Sequence, residues 1–141
     1  MKYSIHIVDF TQHEKEIRLV RNTVFTGEQG ISSAIDFDGR CPDCYHVLAR
    51  NEAGEPVGTG RMQKNGHIGR LAVIAAWRGN GIGKAMLEAL ISHARRIGLR
   101  QVYLNSQQSA VGFYEKCGFI CDGEIFHEVN IPHIKMVRNI E

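Results

Sequence analysis

The sequence has no long hydrophobic run and only a small excess of positive charge. No stretch approaches the roughly 18 consecutive apolar residues of a membrane-spanning helix, and His6 and Asp9 interrupt the apolar residues near the N-terminus, which argues against a signal peptide. The 17 Lys and Arg residues against 15 Asp and Glu residues leave a net charge of +2, too little to predict a nucleic-acid partner. We therefore expect a cytoplasmic protein that binds neither membrane nor nucleic acid.

Repeats, low-complexity segments and linkers are also lacking. A chain of 141 residues with a hydrophobic fraction of 43% suits one globular domain, residues 1–141. In a cytoplasmic protein the four cysteines are expected to be mostly reduced thiols.

Hydrophobic periodicity and turn residues predict the element order β-α-β-β-β-α-β-α-β-β. The predicted strands are 3–8, 46–50, 56–63, 67–74, 101–105, 119–128 and 133–139, and the later helices are 82–97 and 109–117. Hairpins in the middle and a β-α-β unit near the end indicate a mixed α/β or α+β sheet with helices packed on it.

The first helix is predicted from a capping box. Thr11 with Glu14 fits the T-x-x-E pattern, and Ile17, Val20 and Val24 follow on one helical face. Residues 26–45 are predicted to be a loop with room for a helical turn.

A glycine-rich turn between the third hairpin strand and the next helix is the most informative stretch. It reads Arg78-Gly79-Asn80-Gly81-Ile82-Gly83-Lys84. Glycines allow close approach of the backbone to an anion, and a helix start supplies unpaired N–H groups. A Walker A loop is excluded because Arg78 stands at its first glycine position and Ala85 at its Ser/Thr position. The dinucleotide fingerprint is excluded because Lys84 replaces its last glycine.

The spacing R-x-x-G-x-G, formed by Arg78, Gly81 and Gly83, resembles the signature of the GNAT acetyltransferases. The resemblance implies a GNAT fold, with a central mixed, mostly antiparallel sheet flanked by helices, and acetyl-CoA as cosubstrate. The implied cofactor-binding residues are Leu71, Ala72 and Val73 on the preceding strand, Arg78, Gly79, Asn80, Gly81, Ile82, Gly83 and Lys84 in the turn, and Asn105 after the next strand.

A second segment, Phe113 to Phe119, is similar to the family's helix with the pattern F-Y-x-x-x-G-F. The resemblance makes Tyr114 the general acid that protonates the departing thiolate. Reference pKa values of about 8.5 for a thiol and about 10 for a phenol make that transfer feasible. The structural alternative is that Tyr114 is only a core aromatic residue.

Two further segments resemble the ElaA-like branch of the family. Residues 21–29 match R-x-x-V-F-x-x-E-Q, and residues 131–136 match I-P-H-x-x-M. We expect the acceptor amine to bind near Phe25, Glu28 and Gln29, between the first helix and the C-terminal strands. Carboxylates there, such as Glu28 or Asp36, would suit a cationic amine.

The general base departs from the family's usual pattern. Many members carry Glu on the strand before the glycine turn, but Ile68, Gly69 and Arg70 stand there in this chain. The remaining candidates are Glu28, His46, His67, Glu128 and His133. We favour His133, because neutral imidazole suits the task near pH 7; a structural histidine and an amine that arrives already neutral stay open as alternatives.

The spacing Cys41-Pro42-Asp43-Cys44 permits a zinc site with His46 or a loop disulfide, but neither is needed, and we predict no metal. The sequence thus favours an N-acetyltransferase that moves acetyl directly from acetyl-CoA to a small-molecule or peptide amine. A non-catalytic acyl-CoA sensor is the alternative, and a zinc or thiol redox protein is a third possibility. A homodimer is compatible with the sequence.

Overall fold

The computed structural model describes residues 1–141 apart from the side chains of residues 34 and 35. Its strands are β1 (Tyr3–Val8), β2 (Tyr45–Asn51), β3 (Pro56–Met62), β4 (His67–Val73), β5 (Gln101–Gln107), β6 (Ile120–Cys121), β7 (Phe126–Glu128) and β8 (Ile131–Asn139). Its α-helices are α1 (Phe10–Arg21), α2 (Ser33–Asp36), α3 (Ile82–Arg96) and α4 (Val111–Lys116). A π-helix (Asn22–Glu28) continues α1, and 3₁₀ turns occupy Cys41–Asp43, Ala75–Trp77 and Gln108–Ala110.

All eight strands belong to one sheet, in the order β1-β2-β3-β4-β5-β8-β6, with β7 also paired to β8. Every pairing is antiparallel except that of β4 with β5, which is parallel. The predicted mixed, mostly antiparallel sheet is therefore confirmed.

Helices cover both faces of the sheet, and strand alternation supplies each face with apolar side chains. On β2, Val47 and Ala49 pack with α3 in the larger core, whereas Leu48 packs with α1 on the opposite face. Along α1, Ile17 and Val20 are fully buried, as their helical spacing predicted. No helix in the described chain has both the length and the apolar character to cross a membrane.

The predicted capping box of the first helix is wrong. The helix begins at Phe10, and its cap is Asp9, whose carboxylate accepts the backbone N–H of Gln12 at 3.2 Å. Asp is one of the preferred N-cap residues, and a start at Phe10 lets that ring be buried.

Two other predictions need correction. The segment 26–45, predicted as loop with room for a helical turn, contains the last three residues of the π-helix, all of α2 and one 3₁₀ turn. The single strand predicted at 119–128 is two short strands, β6 and β7, separated by a turn in which Gly123 has a φ of 117°. The remaining helices and strands are found where they were predicted, with ends shifted by a few residues.

His46 is a buried histidine beneath α1. Its ring lies 5.1 Å from that of Phe10, and Nε2 donates to the carbonyl oxygen of Cys41 at 2.8 Å. Burial lowers the pKa of His46 to about 4, and the guanidinium groups of Arg21 and Arg61 act in the same direction. The folded protein therefore keeps this imidazole neutral.

This burial predicts a specific loss of stability in acid. Between about pH 6.5 and about pH 4 the unfolded chain binds a proton at His46 that the folded protein does not, so the free energy of unfolding should fall as pH falls through this window. The full effect of a shift from 6.5 to about 4 is roughly 3 kcal/mol. Urea unfolding of His46→Gln, whose amide can still donate to Cys41, should show a clearly weaker pH dependence. His6→Gln, at an exposed position, should behave like the unmodified protein; an unchanged slope in His46→Gln would contradict the assignment.

Candidate active site

A cleft opens in the sheet between β4 and β5. The two strands pair only through His67 with Tyr103 and Ile68 with Leu104, and they then diverge. A β-bulge lies at the point of divergence, because Gly60 of β3 faces both Arg70 and Leu71 of β4. Bulges bend a strand away from its neighbour, so the bulge accounts for the opening.

The cleft contains a cavity of about 290 Å³. Its walls come from β4, the end of β5, the π-helix, α4, and the β7–β8 hairpin. The lining residues are Phe25, Gln29, Ile31, Asp36, Arg61, Gln63, His67, Ile68, Gly69, Arg70, Leu71, Leu104, Asn105, Gln107, Ala110, Tyr114, Glu128, Val129, Ile131 and His133. The cavity thus collects six of the favoured site residues, namely Phe25, Gln29, Leu71, Asn105, Tyr114 and His133, together with Asp36, His67 and Glu128, which were named as further candidates.

The glycine turn lies beyond the end of β4, at the start of α3. Gly79 and Gly81 both have φ of 81°, a conformation that glycine adopts without strain, and Gly81 caps the helix. The side-chain amide of Asn80 fixes the turn by donating to the carbonyl of Trp77 at 3.0 Å. A Cβ on Gly83 would lie 3.3 Å from the Phe113 ring, whereas one on Gly79 would meet open space. The turn therefore presents bare backbone and the free N–H groups of a helix start.

Arg78 does not extend into open space. Its Nε donates to the carbonyl of Val73 at 3.0 Å, and its terminal nitrogen lies 2.9 Å from both carboxylate oxygens of Glu28. On the other side of the cleft, the amide of Gln107 donates to that of Gln29 at 3.0 Å. The segment Asn22–Gln29, here called the strap, is consequently tied to both edges of the cleft.

These contacts change the expected role of Glu28. Its carboxylate is engaged by Arg78 and does not line the cavity, whereas Phe25 and Gln29 do. Ala72 and Val73 also lie outside the cavity lining, farther along β4 toward the glycine turn.

Tyr114 extends from α4 into the cavity and is held between two aromatic rings. Its ring is edge-on to Phe113 at 5.0 Å and to Phe119 at 5.9 Å. Burial raises the pKa of Tyr114 to about 12, so the phenol is protonated at neutral pH. Among the described side chains its hydroxyl has no hydrogen-bond partner, which leaves the proton available within the cavity.

His133 is held by the β7–β8 hairpin. The hairpin turns through Val129 and Asn130, both with positive φ, as a tight two-residue turn requires. His133 Nδ1 lies 2.7 Å from the carbonyl oxygen of Ile131. A carbonyl only accepts, so Nδ1 carries the hydrogen, and neutral His133 has its lone pair on Nε2. That atom lies 3.9 Å from a carboxylate oxygen of Glu128.

The other proposed bases differ in their access to the cavity. His46 is fully buried under α1, outside the lining, and its low pKa makes it a poor proton acceptor. His67 lines the cavity with its ring stacked on Tyr103 at 4.6 Å, and burial lowers its pKa. Its Nδ1 lies 3.4 Å from the amide nitrogen of Gln63, which leaves Nε2 protonated in the neutral form.

A buried ionic cluster that the sequence did not predict forms one wall. Asp36 lies 3.1 Å from Arg21 and 3.0 Å from Arg70, and Asp38 lies 2.9 Å from Arg61 and 3.5 Å from Arg70. Asp36 is 2% exposed, so the expectation of a free carboxylate for a cationic amine is wrong. The available signal was an arginine inside each of two mostly apolar strands, β3 and β4.

None of the four cysteines reaches the cavity, although Cys41 contacts the ionic cluster behind it. All four are free thiols, and none lines the cavity. Cys41 accepts hydrogen bonds from Arg21 at 3.0 Å and Arg61 at 3.5 Å. Among the described side chains, no three His, Cys, Asp or Glu residues come close enough together to hold a metal ion.

The sequence and the fold can be compared with those of known proteins. The family model for the acetyltransferase (GNAT) domain matches residues 28–140. A Bacillus subtilis (strain 168) protein described as a candidate acetyltransferase is 38% identical over 125 residues, covering 84% of each chain. Protein ElaA of Escherichia coli (strain K12) is 32% identical over 130 residues, covering 86% of this chain and 84% of its own.

Solved structures agree with the sequence comparison. The crystal structure of Escherichia coli ElaA superposes with a TM-score of 0.85 at 26% identity, over 98% of this chain and all of the other. An acyl-CoA N-acyltransferase from Pseudomonas aeruginosa gives a TM-score of 0.84 at 26% identity, over 97% and 99% of the two chains. With its glycine turn, its opened sheet and these relatives, the chain belongs to the ElaA-like branch of the GNAT family and is an acyl-CoA-dependent acetyltransferase.

Proposed function

We propose that the protein transfers acetyl from acetyl-CoA directly to the amine of a small acceptor bound in the cleft. The observation that carries the proposal is the pairing, in one cavity, of a protonated phenol on Tyr114 with a free imidazole lone pair on His133. Amine acylation needs both a proton donor and a proton acceptor. A cytoplasmic location fits the use of this cosubstrate.

The glycine turn and β4 are suited to hold the coenzyme. The free N–H groups at the start of α3 favour the pyrophosphate, and the glycines leave room for it. The N–H of Ile74 donates to Val57 of β3, so strand alternation turns the backbone of Val73 toward the cleft. Leu71, Val73 and Asn105 can then pair with the pantetheine arm. Arg78 contributes through its backbone, because its guanidinium is held by Glu28 and Val73.

His133 and Tyr114 divide the proton transfers between them. His133 Nε2 accepts the proton that the attacking amine loses, and Glu128 lies close enough to stabilise the imidazolium. As nitrogen bonds to the thioester carbon and the C–S bond breaks, the Tyr114 hydroxyl donates its proton to the departing sulfur. No cysteine or serine lies in the described cavity lining, which supports direct transfer without an acyl-enzyme.

The size of the cavity favours a small acceptor. Its volume of about 290 Å³ lies at the low end of the range for small-molecule sites. Phe25 and Gln29 of the strap cover the acceptor, and apolar residues such as Ile31 and Ile131 surround it.

Replacing Gly81 should abolish coenzyme binding. In Gly81→Glu, a carboxylate stands at the start of α3, where the pyrophosphate would otherwise meet free N–H groups. Calorimetry should detect no binding of acetyl-CoA. Gly54→Glu is the matched control, because Gly54 also has a φ of 81° but lies in the turn between β2 and β3. A folded Gly81→Glu protein with unchanged affinity would rule out this binding site.

Removing one hydroxyl should separate binding from chemistry at Tyr114. Tyr114→Phe keeps the ring contacts with Phe113 and Phe119, so acetyl-CoA affinity should be unchanged. Loss of the general acid should lower kcat by about 10²–10⁴-fold. Tyr103→Phe, whose hydroxyl contacts Asn65 outside the cavity, should retain full kcat. Full activity in Tyr114→Phe would show that the tyrosine serves only packing.

The pH profile should identify the base. With His133 as the proton acceptor, kcat/KM should rise with pH, and the midpoint of that rise should stay the same when the acceptor amine is changed. His133→Gln should remove that rise and leave acetyl-CoA affinity unaltered. His127→Gln, on the same hairpin but exposed, is the control. If the midpoint follows the pKa of each acceptor amine and His133→Gln matches the unmodified enzyme, the amine loses its proton to solvent and His133 is not the base.

A further inference from the structure

The strand bulge carries a charged residue in a conformation that side chains other than glycine rarely adopt. Arg70 has a φ of 52°, a value that costs energy for a residue with a Cβ. Such strain persists where the surroundings fix it, and it is concentrated at functional sites. Here the surroundings are Asp36 and Asp38, which hold the guanidinium beside the cavity.

The cluster around Arg70 has more positive than negative groups. Three guanidinium groups, those of Arg21, Arg61 and Arg70, share the two carboxylates of Asp36 and Asp38. Three positive charges minus two negative charges leave an excess of one positive charge. Both Arg61 and Arg70 line the cavity, while Arg21 lies behind them, 1% exposed.

The arginines of the cluster also act on neighbouring titratable groups. Besides burial, the arginines lower the pKa of two imidazoles, with Arg61 acting on His67 and both Arg21 and Arg61 acting on His46. Arg61 and Arg21 also contribute, after burial, to lowering the pKa of Arg70. Arg61 thus acts on His67 and Arg70, both of which line the cavity, in the direction of a positive potential, while Glu128, Asp36 and Asp38 act against it.

The opposite side of the cavity carries a negative charge rather than an excess of positive charge. Glu128, on the β7–β8 hairpin, provides a carboxylate next to His133, and the Tyr114 hydroxyl is uncharged. A small acceptor whose amine faces His133 therefore extends its other end toward Arg61 and Arg70. Opposite charges on two walls orient a molecule that carries both.

We infer that the acceptor is an amine that also bears an anionic group, a carboxylate or a phosphate, and that Arg70 with Arg61 binds this group. The inference rests on the proposed function and specifies its substrate class. Arginine suits the role because its planar, always charged guanidinium matches the geometry of carboxylate and phosphate oxygens.

Matched acceptors test the inference on the unmodified enzyme. One pair is an α-amino acid and its α-amide, and the other is an amino-alcohol phosphate and the free amino alcohol. The readout is the initial rate of thiol release from acetyl-CoA. We expect kcat/KM for at least one anionic member to exceed that of its partner by about 10- to 100-fold, the effect of one charge-assisted hydrogen bond. The responding pair distinguishes carboxylate from phosphate.

Without recognition of the anionic group, the anionic acceptors should react more slowly than their partners, because a nearby anion raises the pKa of the amine and leaves less of it neutral. If the uncharged members react as well as or better than the anionic ones, the inference is wrong and the acetyltransferase proposal stands. If no amine of either kind releases thiol, the proposed function fails and the inference fails with it.

Variants of Arg70 separate recognition from folding. Arg70→Gln should lower kcat/KM for the anionic acceptor by about 10- to 100-fold, and Arg70→Lys should restore part of the loss. The uncharged acceptor and the KM for acetyl-CoA should change little. The control is Arg50→Gln, which breaks a 2.9 Å ion pair with Glu16 outside the cavity and should affect neither acceptor. An equal loss for both acceptors in Arg70→Gln would mean that Arg70 only supports the structure and would overturn the inference.

Discussion

The active site forms where the pairing between β4 and β5 ends within the sheet. Parallel strands β4 and β5 share two residue pairs and then separate, because the bulge at Arg70 and Leu71 adds a residue that β3 cannot match. If the pairing continued, side chains and backbone would fill the space that the cavity occupies. The bulge also leaves backbone groups of β4 unpaired by β5, as the proposed pairing of this strand with the pantetheine arm requires. The bulge in β4 therefore accounts for three features together: the cleft between β4 and β5, the unpaired backbone groups of β4, and the position of Arg70.

Buried charge is the second feature that shapes the site. Moving ions out of water is costly unless they are paired and hydrogen-bonded, and the cluster meets this condition through Asp36, Asp38 and the sulfur of Cys41. The cluster also joins α1, the segment after the strap, and strands β3 and β4. The ion pairs and hydrogen bonds offset the cost of desolvation, and the cluster connects four separate parts of the chain around one cavity. The nearby His46 remains neutral because burial likewise disfavours its charged form.

Most of the fold could be predicted from the sequence because its signals are local. The Asn65-Gly66 turn, the helical spacing of Ile82 to Leu90 and the glycines after β4 each depend on neighbours in the chain. What could not be predicted depends on distant contacts: the pairing of Glu28 with Arg78, fifty positions apart, and of Asp36 with Arg21 and Arg70. Both carboxylates looked free in the sequence. The assignments of Tyr114, His133 and the coenzyme-binding residues remain predictions.

The ion pair between Glu28 and Arg78 makes the position of the strap sensitive to ionic strength. This pair holds the strap over the cleft, and its side chains are 36% and 47% exposed, so dissolved ions screen it readily. The arginine cluster lies deeper, with side chains that are 1% exposed for Arg21 and Asp36, 5% for Arg61, 25% for Arg70 and 27% for Asp38, and is screened less. Added salt should therefore loosen the cover of the cleft before it weakens the charged wall beneath it.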